Sequence, residues 1–269
     1  MSRCLITKMQ TVWREEDEQV VYHLRLEDEK WCMNDFVGSS VRLTWTGRIF
    51  CSNCGNQTKN SFGEGMCYTC FTTAAAASPC IIRPELCEAH LGKGRDVEFE
   101  KANHLQPHYV YLAATDVVKV GVTRATQVPT RWMDQGARSA VLLAEVPYRQ
   151  LAGEIEVAMK SYFTDKTNWK NMLRDIQDET IDLVFEKWNI HEQLPADLGA
   201  YWSENDQIFN FNYPVLNYPE KVNSTSFEKV DAVGGKLTGI RGQYLYFDEN
   251  TVLNLRKHTG YEIEISIND

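Results

Sequence analysis

Apolar and polar residues alternate at period two within the first fifty positions. Leu24 and Leu26 alternate with Arg25 and Glu27, and Val41, Leu43 and Trp45 with Arg42, Thr44 and Thr46. Such alternation turns one face of a strand inward and the other to solvent. Asp35 and Gly38-Ser39-Ser40 supply turns. The stretch predicts about four or five short strands in a small barrel or sandwich. A second pattern begins near His108. Tyr109-Val110-Tyr111-Leu112 and Val117-Val118-Lys119-Val120-Gly121-Val122-Thr123 are rich in β-branched and aromatic residues and separated by a turn at Thr115-Asp116. They predict a strand pair with Tyr109 and Tyr111 on one face of the first strand, and Lys119, Gly121 and Thr123 on one face of the second.

The period then lengthens. Pro129 precedes Thr130-Arg131-Trp132-Met133-Asp134-Gln135, and Gly136 follows, the punctuation of a short helix. A longer helix is predicted from about Arg149 to Phe163, with Leu151, Ile155, Ala158, Met159 and Tyr162 as its apolar stripe. Further helical faces carry Trp169, Leu173 and Ile176, then Leu183, Val184 and Trp188, until Pro195 and Gly199 end them. From Phe209 to Asp269 short apolar runs separated by Gly234-Gly235, Gly239, Gly242 and Gly260 predict strands again. These strands form a second small β module or complete the first. The expected fold class is α+β, divided as a β module (1–50), a cysteine-rich segment with a linker over 91–107 (51–107), a central small sheet with flanking helices (108–200) and C-terminal strands (201–269).

Composition changes this picture in two respects. There is no run of about eighteen apolar residues, so no membrane helix is expected and no membrane partner. The opening Met1–Lys8 stretch is too short and too soon charged for a signal peptide, which gives a cytoplasmic expectation. The net charge is −9, which argues against a generic nucleic-acid binder, yet residues 101–175 hold ten basic and seven acidic side chains. That segment is a candidate phosphate-facing patch on an acidic body, or an ordinary fluctuation of surface charge.

The eight cysteines carry the most specific signal. In a reducing compartment, paired spacings indicate metal before disulfides. Cys51-Ser52-Asn53-Cys54 and Cys67-Tyr68-Thr69-Cys70 are two C-x-x-C pairs separated by twelve residues. Each pair forms a tight turn that aims two sulfurs at one point, and two pairs make a four-thiolate Zn²⁺ site of structural type. Cys80, Cys87 and His90 are candidates for a second zinc site, with His104 or His108 as the fourth ligand; the other reading is two buried reduced cysteines and a surface histidine. Cys4 and Cys32 read as core residues. Ala74–Ala77 favours helix, and Gly92-Lys93-Gly94-Arg95 reads as a basic turn.

Taken together, Val110-Tyr111, Lys119-Val120-Gly121, Arg131 on a first helix and Glu156 within Gly153-Glu154-Ile155-Glu156-Val157-Ala158-Met159-Lys160 resemble the motif order of the GIY-YIG endonuclease domain. With the cysteine-rich segment before it, the chain also resembles an uncharacterised bacterial family that joins a zinc-binding segment to such a core. Lys119 stands where many GIY-YIG members carry tyrosine; some related subgroups carry lysine there. The resemblance implies metal-dependent cleavage of nucleic-acid phosphodiesters. In it Tyr111 contacts or deprotonates the attacking water, Arg131 holds phosphate, and Glu156 binds Mg²⁺ or Mn²⁺. Mg²⁺ needs only one or two protein carboxylates beside substrate phosphate. Lys119 would lower the pKa of Tyr111, with Tyr109 in reserve. Periodicity does not choose between Glu154 and Glu156; the resemblance favours Glu156. The alternative function is a zinc-containing module that binds nucleic acid or a protein without catalysis.

Overall fold

The structure is a computed structural model that describes residues 2–26, 29–163, 167–176, 178 and 180–268. In chain order it runs β1 (Ser2–Leu5), β2 (Gln10–Arg14), β3 (Gln19–Leu26), β4 (Glu29–Cys32), β5 (Ser40–Phe50), β6 (Gln57–Thr58), α1 (Tyr68–Thr73) and α2 (Val97–His104). Next come β7 (His108–Ala114), β8 (Val118–Arg124), α3 (Thr130–Asp134), β9 (Ser139–Val146), α4 (Arg149–Met159), α5 (Trp169–Leu173), α6 (Leu183–His191) and α7 (Ala196–Gly199). The chain closes with β10 (Phe209–Asn210), β11 (Asn223–Thr225), β12 (Ala232–Arg241), β13 (Tyr244–Phe247), β14 (Thr251–Asn254) and β15 (Tyr261–Asn268). The fold is α+β. It divides into two compact units, one of residues 1–72, 173–175 and 211–269, the other of residues 73–172 and 176–210.

The first unit joins the two ends of the chain. β5 lies between β15 and β12, both antiparallel to it, and the sheet continues in the order β1-β15-β5-β12-β13-β14-β11, with β6 paired to β5. Val41 and Leu43 are fully buried, as the alternation requires, and so are Ile263 and Ile265 of β15. The C-terminal strands therefore complete the N-terminal module. β2, β3 and β4 form a separate three-stranded sheet, so residues 1–50 are not a closed module of their own. Period two says which side of β5 is apolar; pairing partners in β12 and β15, far along the chain, decide which sheet it enters.

The second unit is a four-stranded antiparallel sheet in the order β10-β9-β7-β8. Val110, Leu112, Val120, Val141 and Leu143 meet Ala152, Ile155 and Met159 of α4 in its core. The predicted stripe on α4 is buried at Ile155 and Met159, whereas Tyr162 lies past the helix end and is exposed. Two expectations fail here. The supposed linker over 91–107 contains α2, started by the Asp96 side chain accepting the Phe99 N–H. Its sequence, VEFEKANH, has no apolar stripe to announce it. Ala75–Ala77 forms one 3₁₀ turn in place of a helix: three alanines bury too little apolar surface to offset the cost of nucleating a helix.

Candidate metal centres and the Tyr111 cluster

In the first unit the cysteine turns follow β5. Cys51, Cys54, Cys67 and Cys70 bring their sulfurs within 4.8 Å of one another. Backbone N–H groups of Asn53, Cys54 and Cys67 donate to Cys51 Sγ at 3.4, 3.5 and 3.2 Å, and Asn53 Nδ2 donates to Cys70 Sγ at 3.3 Å. Such donors favour thiolate over thiol, and thiolate is the form a metal takes. Burial pushes the Cys51 thiol up, but the three amides outweigh it and bring the group down to about 6. The segment is tied to the 3₁₀ turn between β14 and β15 by a two-pronged ion pair, Arg256 Nε and Nη2 to Glu64 at 2.8 and 2.8 Å. Beside it Gly65, at φ +90°, comes so close to Thr259 that a Cβ would stand 2.7 Å from the Thr259 carbonyl. The donors, their number and their convergence fit a tetrahedral zinc site.

The second unit holds a second group: Cys80, Cys87, Glu100 and His104, again with ligand atoms within 4.8 Å of one another and all buried. His104 Nδ1 lies 3.5 Å from Cys87 Sγ and 4.0 Å from Cys80 Sγ. Tetrahedral zinc with Zn–S of about 2.3 Å and Zn–N of about 2.0–2.1 Å gives an S···N edge of about 3.6 Å. His104 also pairs with Glu100, one turn back on α2. The Cys80 thiol donates to Cys87, which with His104 holds Cys87 down to about 4 and pushes Cys80 up. His90 is not in this group; its ring stacks on Tyr148 with centroids 5.0 Å apart. His108 is fully buried and brought down to about 4 by burial, with Nδ1 2.7 Å from the Gln106 carbonyl. His104 is one of the two fourth ligands the sequence offered; Glu100 is the ligand it missed, and the spacing Glu100-x-x-x-His104 on one helix face is the signal that points to it.

The other predicted residues lie on and around the same small sheet. Tyr111 is opposite Gly121, and Lys119 opposite Ala113, so Tyr111 and Lys119 share a sheet face. Gly121 leaves room for the phenol: a Cβ there would stand 2.6 Å from the Tyr111 hydroxyl. Tyr111 is 0 % exposed, packs edge-on to Trp132 at 5.7 Å and donates to Gln135 Oε1 at 3.2 Å. Burial raises its pKa. Arg131 opposes the rise through its charge and a hydrogen bond, and the charge of Glu156 adds to it. Arg131 is the stronger of the two influences on this hydroxyl, and Glu156 reaches it through charge alone. Lys119 is 7 % exposed, and its Nζ donates to Thr167 Oγ1 at 3.0 Å. Burial brings it down to about 7, aided by the charge of Arg131 and opposed by Asp116. The expected activation of Tyr111 by Lys119 is not what the site displays: desolvation dominates both groups and disfavours each charged form. Tyr109, half-buried, is also raised by burial, then by the charge of Glu145.

The two carboxylates of α4 differ. The Glu156 side chain is 12 % exposed and 3.9 Å from Lys160, and its charge reaches Arg149. Glu154 is exposed and accepts from Gln150. Three-dimensional packing therefore separates two residues that the helical period left equivalent.

An α+β protein with, among the described residues, two convergent groups of metal-ligand side chains is the class this fold and these sites define. The chain belongs to the family described as Protein of unknown function (DUF2797), which matches residues 38–263. No curated protein and no solved structure matches it. Among the described residues no helix is long and apolar enough to cross a membrane.

Proposed function

We propose that this protein is a zinc-containing, metal-dependent endonuclease-like protein that cleaves nucleic-acid phosphodiesters in the manner of the GIY-YIG domain it resembles. The reading is supported by Arg131, whose charge and hydrogen bond act on the buried Tyr111 hydroxyl, by the weaker charge of Glu156 felt there, and by Lys119 on the same sheet face. Zinc at Cys51, Cys54, Cys67 and Cys70 is structural, since four protein ligands leave no open position. A cytoplasmic setting keeps the thiols available to metal.

Glu156 offers one inward carboxylate, which suits Mg²⁺ or Mn²⁺ when substrate phosphate brings further oxygens. The ion would supply neutralisation of charge on the non-bridging oxygens. The half-buried Arg131 holds the phosphate with its planar fork. Tyr111, buried and kept neutral, is a positioning residue that orients the guanidinium. Lys119, with a pKa near 7, is the amine able to take a proton from the attacking water at neutral pH. A second reading, a non-catalytic nucleic-acid-binding or protein-interaction module, is favoured by the complete burial of Tyr111.

The test is cleavage of branched, single-stranded and duplex nucleic acids with Mg²⁺ or Mn²⁺. Arg131→Ala should lower the rate on the order of 10²–10³-fold, as loss of one charge-stabilising donor does. Glu156→Ala should abolish metal-dependent turnover while Glu154→Ala leaves it intact. Binding without cleavage by the wild-type chain under every condition would leave the module reading.

A further inference from the structure

We infer that Cys80, Cys87, Glu100 and His104 bind a second Zn²⁺ and that this centre is the clamp that sets the position of α4. The second half of the inference rests on the reading above only in giving Glu156 a task; the metal and the clamp stand on their own geometry.

The four groups are buried together, Glu100 and His104 with side chains 4 % and 3 % exposed. A carboxylate and a thiolate packed out of water are costly unless a cation or protons neutralise them. A divalent ion answers all four at once. The loop that supplies the thiols also grips α4. Arg149 Nε donates to the Cys80 carbonyl at 3.0 Å, and Arg149 Nη2 to the Ile81 carbonyl at 2.9 Å. One helical turn on, Gly153 lies against the turn Pro84–Leu86 so closely that a Cβ would stand 2.1 Å from the Glu85 nitrogen. Arg149, Gly153 and Glu156 are spaced i, i+4 and i+7, so they line one helix face. The face that presents Glu156 is the face the loop holds. The remaining two ligands, on α2, tie the loop to a helix whose Asn103 accepts from Arg124 of β8. A single ion thereby joins α2, the loop over 80–87 and, through Arg149 and Gly153, α4. Ordering a metal site through such outer contacts is how second-shell groups couple a centre to its surroundings.

The experiment uses the full chain purified without chelator. Metal content and Co²⁺ replacement spectra are read beside amide exchange across Arg149–Met159. The expected result is two metals per chain. His104→Ala should lose one, keep the thiolate-rich spectrum of the four-cysteine centre, and speed exchange across α4 by about tenfold. His104→Cys should restore the metal and the protection. Should His104→Ala not fold, Glu100→Gln keeps the shape, removes one negative ligand, and should weaken the second metal alone. A wild-type chain with one metal, or variants that keep both, would overturn the centre. Loss of the second metal with unchanged exchange across α4 would overturn the clamp. Cleavage is scored separately: inert nucleic acids with the expected metal and exchange results would refute the nuclease and leave the clamp standing.

Discussion

Replacing Gly153 by alanine tests the docking of α4 most directly. Gly→Ala inside a helix ordinarily stabilises by about 1 kcal/mol, because glycine is the costlier helical residue. Here the new methyl would stand 2.1 Å from the Glu85 nitrogen, 2.5 Å from the Pro84 carbonyl carbon and 2.8 Å from the Glu85 Cα. All three are backbone atoms of a turn beside the loop that Arg149 of α4 also grips, through the Cys80 and Ile81 carbonyls. No side chain can rotate away, so the helix or the turn must shift by about an ångström. Overpacking of this kind costs about 1–3 kcal/mol, and a backbone-on-backbone clash belongs at the upper end. With the helical gain subtracted, the net loss is about 2 kcal/mol. In urea, at a slope of about 2 kcal/mol per M, the midpoint should fall by about 1 M. Gly199→Ala is the control, because nothing lies within 4 Å of a Cβ there; it should be neutral or slightly stabilising. A Gly153→Ala chain as stable as the wild type, or more so, would refute the close approach of α4 to the turn.

Three further outcomes are expected. Cys51→Ser should lower zinc by one equivalent and destabilise its unit, since structural zinc contributes on the order of 10 kcal/mol in small zinc domains; metal analysis and thermal unfolding check it, and unchanged zinc would contradict it. Lys119, brought down to about 7 in the folded chain, titrates near 10.4 when unfolded. Between these values the unfolded chain binds the extra proton, so stability rises with pH by about 1.4 kcal/mol per unit, to roughly 4–5 kcal/mol in all, and is flat below 7 for this group. Lys119→Met should lose that slope, and equal slopes in urea titrations of both chains over about pH 7–10 would show that Lys119 keeps its ordinary pKa. Gly121→Ala should displace the Tyr111 hydroxyl, 2.6 Å from the new Cβ, and weaken its bond to Gln135; an unshifted Tyr111 ultraviolet titration would count against that packing.

Local chemistry was legible in the chain itself. Two C-x-x-C pairs bring four sulfurs together because each turn is fixed within four residues, and the structure has them within 4.8 Å. The strand pair β7–β8 and the helices α3 and α4 follow from period and punctuation, which are properties of neighbours in sequence. Tertiary structure decided the rest. β5 enters a sheet with β12 and β15 through hydrogen bonds that no local period encodes. The second metal group takes Glu100 and His104 from a helix without an apolar stripe, and leaves His90 against Tyr148. Glu154 and Glu156 are equivalent on a helical wheel; burial beside Arg149 and Lys160 separates them. The same holds for Tyr111 and Lys119: period two fixes the face of each within its own strand, but the β7–β8 register puts them on one face and burial sets their protonation. Desolvation depends on every atom that packs around a group, and those atoms come from distant parts of the chain.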